Sequence, residues 1–90
     1  MALYMDTHTE VRGLTAEAVA RAHQKSRRSR VADAVLYQRY WFDPVAGRVF
    51  CLVDARTAEA AAAAHDEFHE RLAEEVEELK VSRWMPVEVC

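Results

Sequence analysis

The distribution of hydrophobic residues over the first part of the chain constrains its fold more than any other feature. Apolar and polar residues alternate over residues 3–9, which is typical of a half-buried β-strand. After a break at Arg12-Gly13, residues 15 to about 29 show helical periodicity, and Thr15 is positioned to act as the N-cap. The chain therefore begins with a strand that leads directly into a helix.

Two further strands are predicted in the middle of the chain. Residues 35–43 are rich in aromatic side chains, which favour a pleated, half-buried surface. Residues 43–47 contain Pro44 and Gly47, as expected for the connection of a hairpin. Residues 48–55 include an almost continuous apolar run, which is typical of a central strand.

A second helix and a fourth strand complete the pattern. Thr57 is the predicted N-cap of a helix that runs to about residue 74, and the strand is expected within residues 76–84. The order β-α-β-β-α-β predicts an α+β protein of the ferredoxin-like type, with a four-stranded antiparallel sheet and both helices on one face. Right-handed crossovers place the first and third strands side by side at the centre.

The other face of this sheet has no cover within the chain. Ninety residues make one domain, which we expect to occupy residues 1–81, followed by a C-terminal extension over residues 82–90. An exposed aromatic face needs a partner, so we expect a homodimer that forms through the sheet. The aromatic residues expected on this face are Tyr37, Tyr40, Trp41, Phe42 and Trp84.

Composition and charge exclude several classes of function. The formal net charge is −3 with both signs interspersed, which argues against nucleic acid as the main partner. The basic cluster within residues 25–30 is either a solvated helix end or a patch for an anion or a partner. No apolar run approaches the roughly 20 residues of a membrane span, and no secretory signal pattern precedes the first strand. Because Cys51 and Cys90 alone give no disulfide framework, we expect a cytoplasmic protein with reduced thiols.

The histidine pair His65 and His69 is the clearest candidate for a functional site. Its spacing places the two imidazoles side by side on a helix, about 5–6 Å apart at Cβ, so both rings can reach one transition-metal ion. Asp66 occupies the position of the glutamate in the zincin motif, and the chain lacks the scaffold of a protease, so a metalloprotease is rejected. The alternative is a pair of surface histidines, although His65 lies on the apolar stripe and should face the core.

Three other residues could contribute to a metal site. Asp6 and His8 lie on one face of the first strand, and His23 lies on the inward stripe of the first helix. We expect His8 near the end of its strand and too far from His69 for one shared ion. Two separate metal sites and one site completed across a dimer therefore both remain as alternatives. His8 or His23 could instead be a structural histidine paired with the backbone.

Cys51 lies in the middle of the predicted central strand and has two interpretations. A free cysteine is commonly a small buried hydrophobe. Alternatively, Cys51 is a metal ligand or the nucleophile of a sulfurtransferase or redox enzyme, activated by a neighbouring imidazole, with Cys90 as a second thiol. A third hypothesis is an accessory module with a small organic molecule held in a dimer cavity. The residues leave open whether the protein is an enzyme.

Five segments in the same order resemble a family of small bacterial nickel-binding proteins over residues 2–79. These segments are residues 3–8, 14–23, 39–41, 49–53 and 65–69. The resemblance implies a ferredoxin-like fold, a homodimer, and binding of nickel or another divalent transition metal such as zinc or copper. It implies His8, His23, His65 and His69 as ligands, with Asp6 and Cys51 as accessory candidates. The basic end of the first helix and the residues after 81 depart from the family pattern.

Overall fold

The chain forms its strands and helices in the predicted order in the computed structural model, which describes residues 2–87. The elements are β1 (Ala2–Arg12), α1 (Ala16–Arg27), β2 (Val35–Asp43), β3 (Arg48–Ala55), α2 (Ala58–Glu75) and β4 (Glu78–Pro86). The sheet has the order β2-β3-β1-β4 with antiparallel neighbours throughout. The predicted ferredoxin-like fold, with β1 and β3 at the centre, is therefore confirmed.

Both helices begin at the threonines that the sequence indicated. The Thr15 hydroxyl accepts a hydrogen bond from the Ala18 N–H at 3.1 Å, and the Thr57 hydroxyl accepts one from the Ala60 N–H at 3.0 Å. Each bond satisfies a backbone donor that a helix start would otherwise leave unpaired. α1 ends two residues earlier than predicted, and a short 3₁₀ helix, Arg30–Ala34, leads into β2.

The alternation of buried side chains along β1 shifts by one residue near its end. Tyr4, Asp6 and His8 alternate inward beneath the helices, whereas the next buried residue is Val11, three positions after His8. Glu10 has a φ of 54°, in the left-handed region, and this residue interrupts the alternation, while β1 and β4 stay in register from Thr9↔Val81 to Val11↔Leu79. The strand therefore runs to Arg12 rather than ending at residue 9, which leaves His8 within the strand and not at its end.

β4 extends further than the sequence suggested. It pairs with β1 from Arg12↔Glu78 to Tyr4↔Pro86. The expected boundary between residues 81 and 82 falls inside this strand, because residues 82–86 find backbone partners on β1. Cys90 lies outside the described residues.

Four of the five aromatic residues expected on the uncovered sheet face lie on the helix side instead. A register shift between Tyr37 and Arg39 changes the alternation within β2. Three of them are paired with buried residues of β3 and therefore lie on the helix side: Tyr37 with Val53, Tyr40 with Cys51, and Phe42 with Val49. Trp84 lies on the same side, because its partner on β1 is the buried Asp6. Trp41, opposite Phe50, is the one of the five that faces away from the helices.

The core between the sheet and the helices forms two clusters of buried residues. One cluster includes Val19 of α1, Cys51 of β3, and Phe68 and Leu72 of α2. The other contains Tyr4 and the small residues on the first half of α2, among them Ala61. These alanines let α2 approach the sheet closely, and its next buried position along the same stripe is His65.

Candidate metal centre

Three imidazoles from two elements converge between β1 and α2. One ring nitrogen from each of His8, His65 and His69 lies within 4.8 Å of the other two. The ring centroids are 5.1 Å apart for His8 and His65, 5.7 Å for His8 and His69, and 6.2 Å for the helical pair. The expectation that His8 is too far from His69 is wrong, because β1 continues past His8 and carries this residue beneath α2.

Most of the polar atoms in this cluster are buried without a partner. Within residues 2–87, both ring nitrogens of His8, and Nδ1 of His65 and of His69, have no hydrogen-bond partner. Buried imidazole nitrogens are normally paired, since an unpaired polar group away from water costs about 1–3 kcal/mol. The arrangement therefore leaves several nitrogens free to bind a ligand that the protein atoms do not supply.

His8 is held in its neutral form. Its side chain is fully buried, and burial lowers the pKa of His8 to about 3, with the neighbouring His65 and His69 acting in the same direction. A metal ion binds the neutral imidazole, so His8 needs to lose no proton at neutral pH before it can act as a ligand. The neutral imidazole keeps a lone pair with which it can bind a metal ion.

Asp6 lies beside the cluster on the same face of β1. Its carboxylate is buried, with Oδ1 3.4 Å from Nδ1 of His65 and Oδ2 without a hydrogen-bond partner. Burial raises the pKa of Asp6, and His65 opposes this effect. Asp6 is not one of the residues whose donor atoms all lie within 4.8 Å of each other.

His23 does not join the three histidines. Its Nε2 contacts the Cys51 thiol at 3.3 Å, and its ring stacks on Tyr40 with centroids 4.1 Å apart. Phe68 contacts both His8 and His23, at centroid distances of 5.3 and 4.6 Å. No local sequence pattern indicates that Tyr40 covers His23, because that contact depends on the register shift in β2.

The Cys51 thiol is buried and protonated. Burial raises its pKa well above the usual value, and Asp6 adds to that effect. Burial also lowers the pKa of His23 to about 4, with a further contribution from Arg27, so the imidazole beside the thiol is neutral. This environment does not generate the thiolate that a nucleophilic cysteine requires.

The fold and the cluster together define a class: a small ferredoxin-like protein with a buried group of three histidines. A family model described as nickel responsive protein SCO4226-like matches residues 4–79, and the chain belongs to this family. The predicted resemblance is therefore confirmed, and a metal-related function is implied by the family. Among curated proteins, none matches the chain.

Solved structures that are similar to this chain include the following two. SCO4226 from Streptomyces coelicolor A3(2) has 29% sequence identity and a TM-score of 0.64, and the match covers 88% of this chain and 93% of that one. A putative antibiotic biosynthesis monooxygenase from Chloroflexus aurantiacus J-10-fl has 11% identity and a TM-score of 0.53, with 99% and 96% covered. The second likeness shows the fold alone.

Within residues 2–87, no helix has the length and apolar character needed to cross a membrane.

Proposed function

We propose that this protein binds a divalent transition-metal ion of the nickel type through His8, His65 and His69. The observation that carries the proposal is the convergence of the three imidazoles, with their unpaired nitrogens, in a largely buried position. Imidazole suits nickel, copper and zinc alike, so the ligands alone do not select the ion. The family description favours nickel.

The dimensions of the cluster fit a metal ion. Metal–nitrogen bonds of about 2.0–2.1 Å require ligand nitrogens roughly 3–4 Å apart. The donor atoms lie within 4.8 Å in this structure, and His69 is only half-buried, so small side-chain rotations close the remaining distance. Three nitrogen ligands leave further coordination positions for water or another ligand.

Calorimetric titration with nickel and with zinc tests this proposal. Wild-type protein without a histidine tag should bind one ion per chain at the cluster, with a dissociation constant below millimolar, and the His65→Ala/His69→Ala double variant should lose that binding. His23→Ala is the matched control, because His23 is a buried histidine outside the cluster, and it should bind as the wild type does. Equal binding by the wild type and the double variant, or no binding by the wild type, would overturn the proposal.

We also propose that a second copy of this chain covers the open face of the sheet. Met5 is paired with Leu52 on one side and Met85 on the other, and Trp41 is paired with Phe50, so each strand contributes an apolar side chain to this face. Arg39 and Arg83 lie at the ends of the same two rows. Trp41 and Met85 are 42% and 47% exposed. A surface of this kind is self-complementary in a two-fold dimer.

The sulfurtransferase or redox alternative gains no support from the surroundings of Cys51. The thiol is buried against a neutral imidazole, and its raised pKa disfavours the reactive form. Cys51 is a free cysteine, as a reducing compartment would keep it, and a cytoplasmic location is part of our proposal.

A further inference from the structure

We infer that Asp6 is a positioning residue for the metal centre: it fixes His65 in the tautomer that carries hydrogen on Nδ1, so that Nε2 is the atom that binds the ion. This inference rests on the proposed metal function and deepens it by assigning a ligand atom. It also assigns Asp6 a role other than that of a direct ligand.

The Asp6 carboxylate restricts which form of the facing imidazole is stable. An ionised carboxylate only accepts hydrogen bonds, so a ring nitrogen that faces it at close range is stabilised as the N–H form. Oδ1 of Asp6 lies 3.4 Å from Nδ1 of His65, and both side chains are almost completely buried. The contact does not have hydrogen-bond geometry in this structure, and a small rotation of the imidazole would provide it.

Neither group has a competing partner among the residues that the structure describes. Nδ1 of His65 and Oδ2 of Asp6 are both buried without any hydrogen bond. On the adjacent strands, Asp6 faces Cys51 and Trp84, and neither supplies a positive charge. His65 is therefore the polar group on which the Asp6 carboxylate acts.

The tautomer of His65 determines which of its two ring nitrogens can bind the metal ion. A neutral imidazole has one N–H and one lone pair, so hydrogen on Nδ1 leaves the lone pair on Nε2. Histidine ligands of metal ions commonly donate their second nitrogen to a carboxylate in this way, which fixes the orientation of the ring and makes it a stronger ligand. Asp6 lies outside the group of mutually close donor atoms, which favours this role over direct coordination.

The first test uses metal-free protein and needs no nickel. Long-range ¹H–¹⁵N correlation spectra of histidine-labelled protein report which ring nitrogen carries hydrogen. We expect His65 of the wild type to be the Nδ1–H tautomer, and Asp6→Ala to convert it wholly or partly to Nε2–H. Asp66→Asn is the matched control, since it removes an exposed carboxylate next to His65, and it should leave the tautomer unchanged. An Nε2–H tautomer in the wild type, or no change in Asp6→Ala, would overturn the inference even if nickel binds.

The second test separates a positioning residue from a ligand. Loss of a carboxylate that orients a ligand typically weakens metal binding by about 10–100-fold. We expect this loss of nickel affinity in Asp6→Ala. The loss should be smaller in Asp6→Asn, because the amide oxygen can still accept the hydrogen bond from His65. In both variants the ligand-field absorption bands of bound nickel should keep their wavelengths. If Asp6 is a ligand instead, both variants lose affinity equally and the bands move. If wild-type protein binds no nickel, the proposed function fails, and the tautomer measurement still decides the role of Asp6.

Discussion

His8 illustrates how a single buried side chain links stability to pH. The folded protein holds His8 neutral, with its pKa lowered from 6.5 to about 3, whereas the unfolded chain exposes an ordinary histidine. Between these values the unfolded chain binds a proton that the folded protein does not bind, so stability present above pH 6.5 is lost as the pH falls toward 3. His23, whose pKa is lowered to about 4, acts in the same direction.

The metal-free protein should therefore become less stable as the pH is lowered from about 7 to about 5. The expected loss from His8 alone is about 2 kcal/mol at pH 5, since each titrating histidine contributes a slope of up to about 1.4 kcal/mol per pH unit. Urea unfolding at several pH values measures this slope. In the His8→Leu variant, the change of the free energy of unfolding with pH should decrease by the contribution of one histidine. An unchanged pH dependence would show that His8 is not buried in the neutral form.

At the scale of the elements, the left-handed conformation of Glu10 in β1 determines which side chains reach the core. Glu10 adopts a left-handed backbone conformation, and after it Val11 donates a hydrogen bond to the Gly47 carbonyl at 3.0 Å. With uninterrupted alternation, Val11 would face away from the helices, because it lies an odd number of residues after His8. The left-handed conformation of Glu10 thus allows one strand to place both His8 and Val11 under the helices.

Replacement of Glu10 tests this account of the strand. A left-handed conformation costs a residue with a β-carbon roughly 1 kcal/mol, which glycine avoids. We therefore expect Glu10→Gly to raise the free energy of unfolding by up to about 1 kcal/mol, and Glu10→Val to lower it, as β-branched residues disfavour this conformation most. Chemical denaturation measures both. A Glu10→Val protein as stable as Glu10→Gly would contradict the assigned backbone conformation.

Gly47 gives a second test of the same region. Its φ is 69°, and a β-carbon at this position would overlap the Val11 backbone carbonyl oxygen, which cannot move without disturbing the strand pairing. We expect Gly47→Ala to destabilise the protein by more than 1 kcal/mol, roughly the cost of the left-handed conformation alone. Ala46→Gly, at the neighbouring position in the turn, is the control and should cost less. Equal stability of Gly47→Ala and the wild type would show that the turn differs from the one described.

At the scale of the whole molecule, the order of the elements was predictable and their ends were not. Periodicity and the capping threonines, Thr15 and Thr57, are local signals, and they located both helices. The register shift in β2 and the length of β1 depend on pairing between distant segments, such as that of Val11 with Gly47, and no local pattern encodes them. For the same reason, the spacing indicated His65 and His69, whereas their proximity to His8 required the fold.

The proposed dimer is also a property of the whole molecule. Leu52 lies on the open sheet face, where β3 pairs with β1, and a charge there should prevent two copies from packing. We expect light scattering to give twice the mass of one chain for the wild type, and the mass of one chain for Leu52→Glu with unchanged circular dichroism. Val45→Glu is the control, because Val45 is 97% exposed at the hairpin tip. A monomeric wild type, or a Leu52→Glu protein as dimeric as the control, would contradict this arrangement.

The measurement that bears most directly on the metal centre is a crystal structure of nickel-loaded protein with anomalous data at the nickel absorption edge. Our account predicts an anomalous peak at about 2.1 Å from one nitrogen of each of His8, His65 and His69, with His65 bound through Nε2. Absence of a peak at saturating nickel would contradict the account. So would nickel held by His23 and Cys51 with the three-histidine cluster empty.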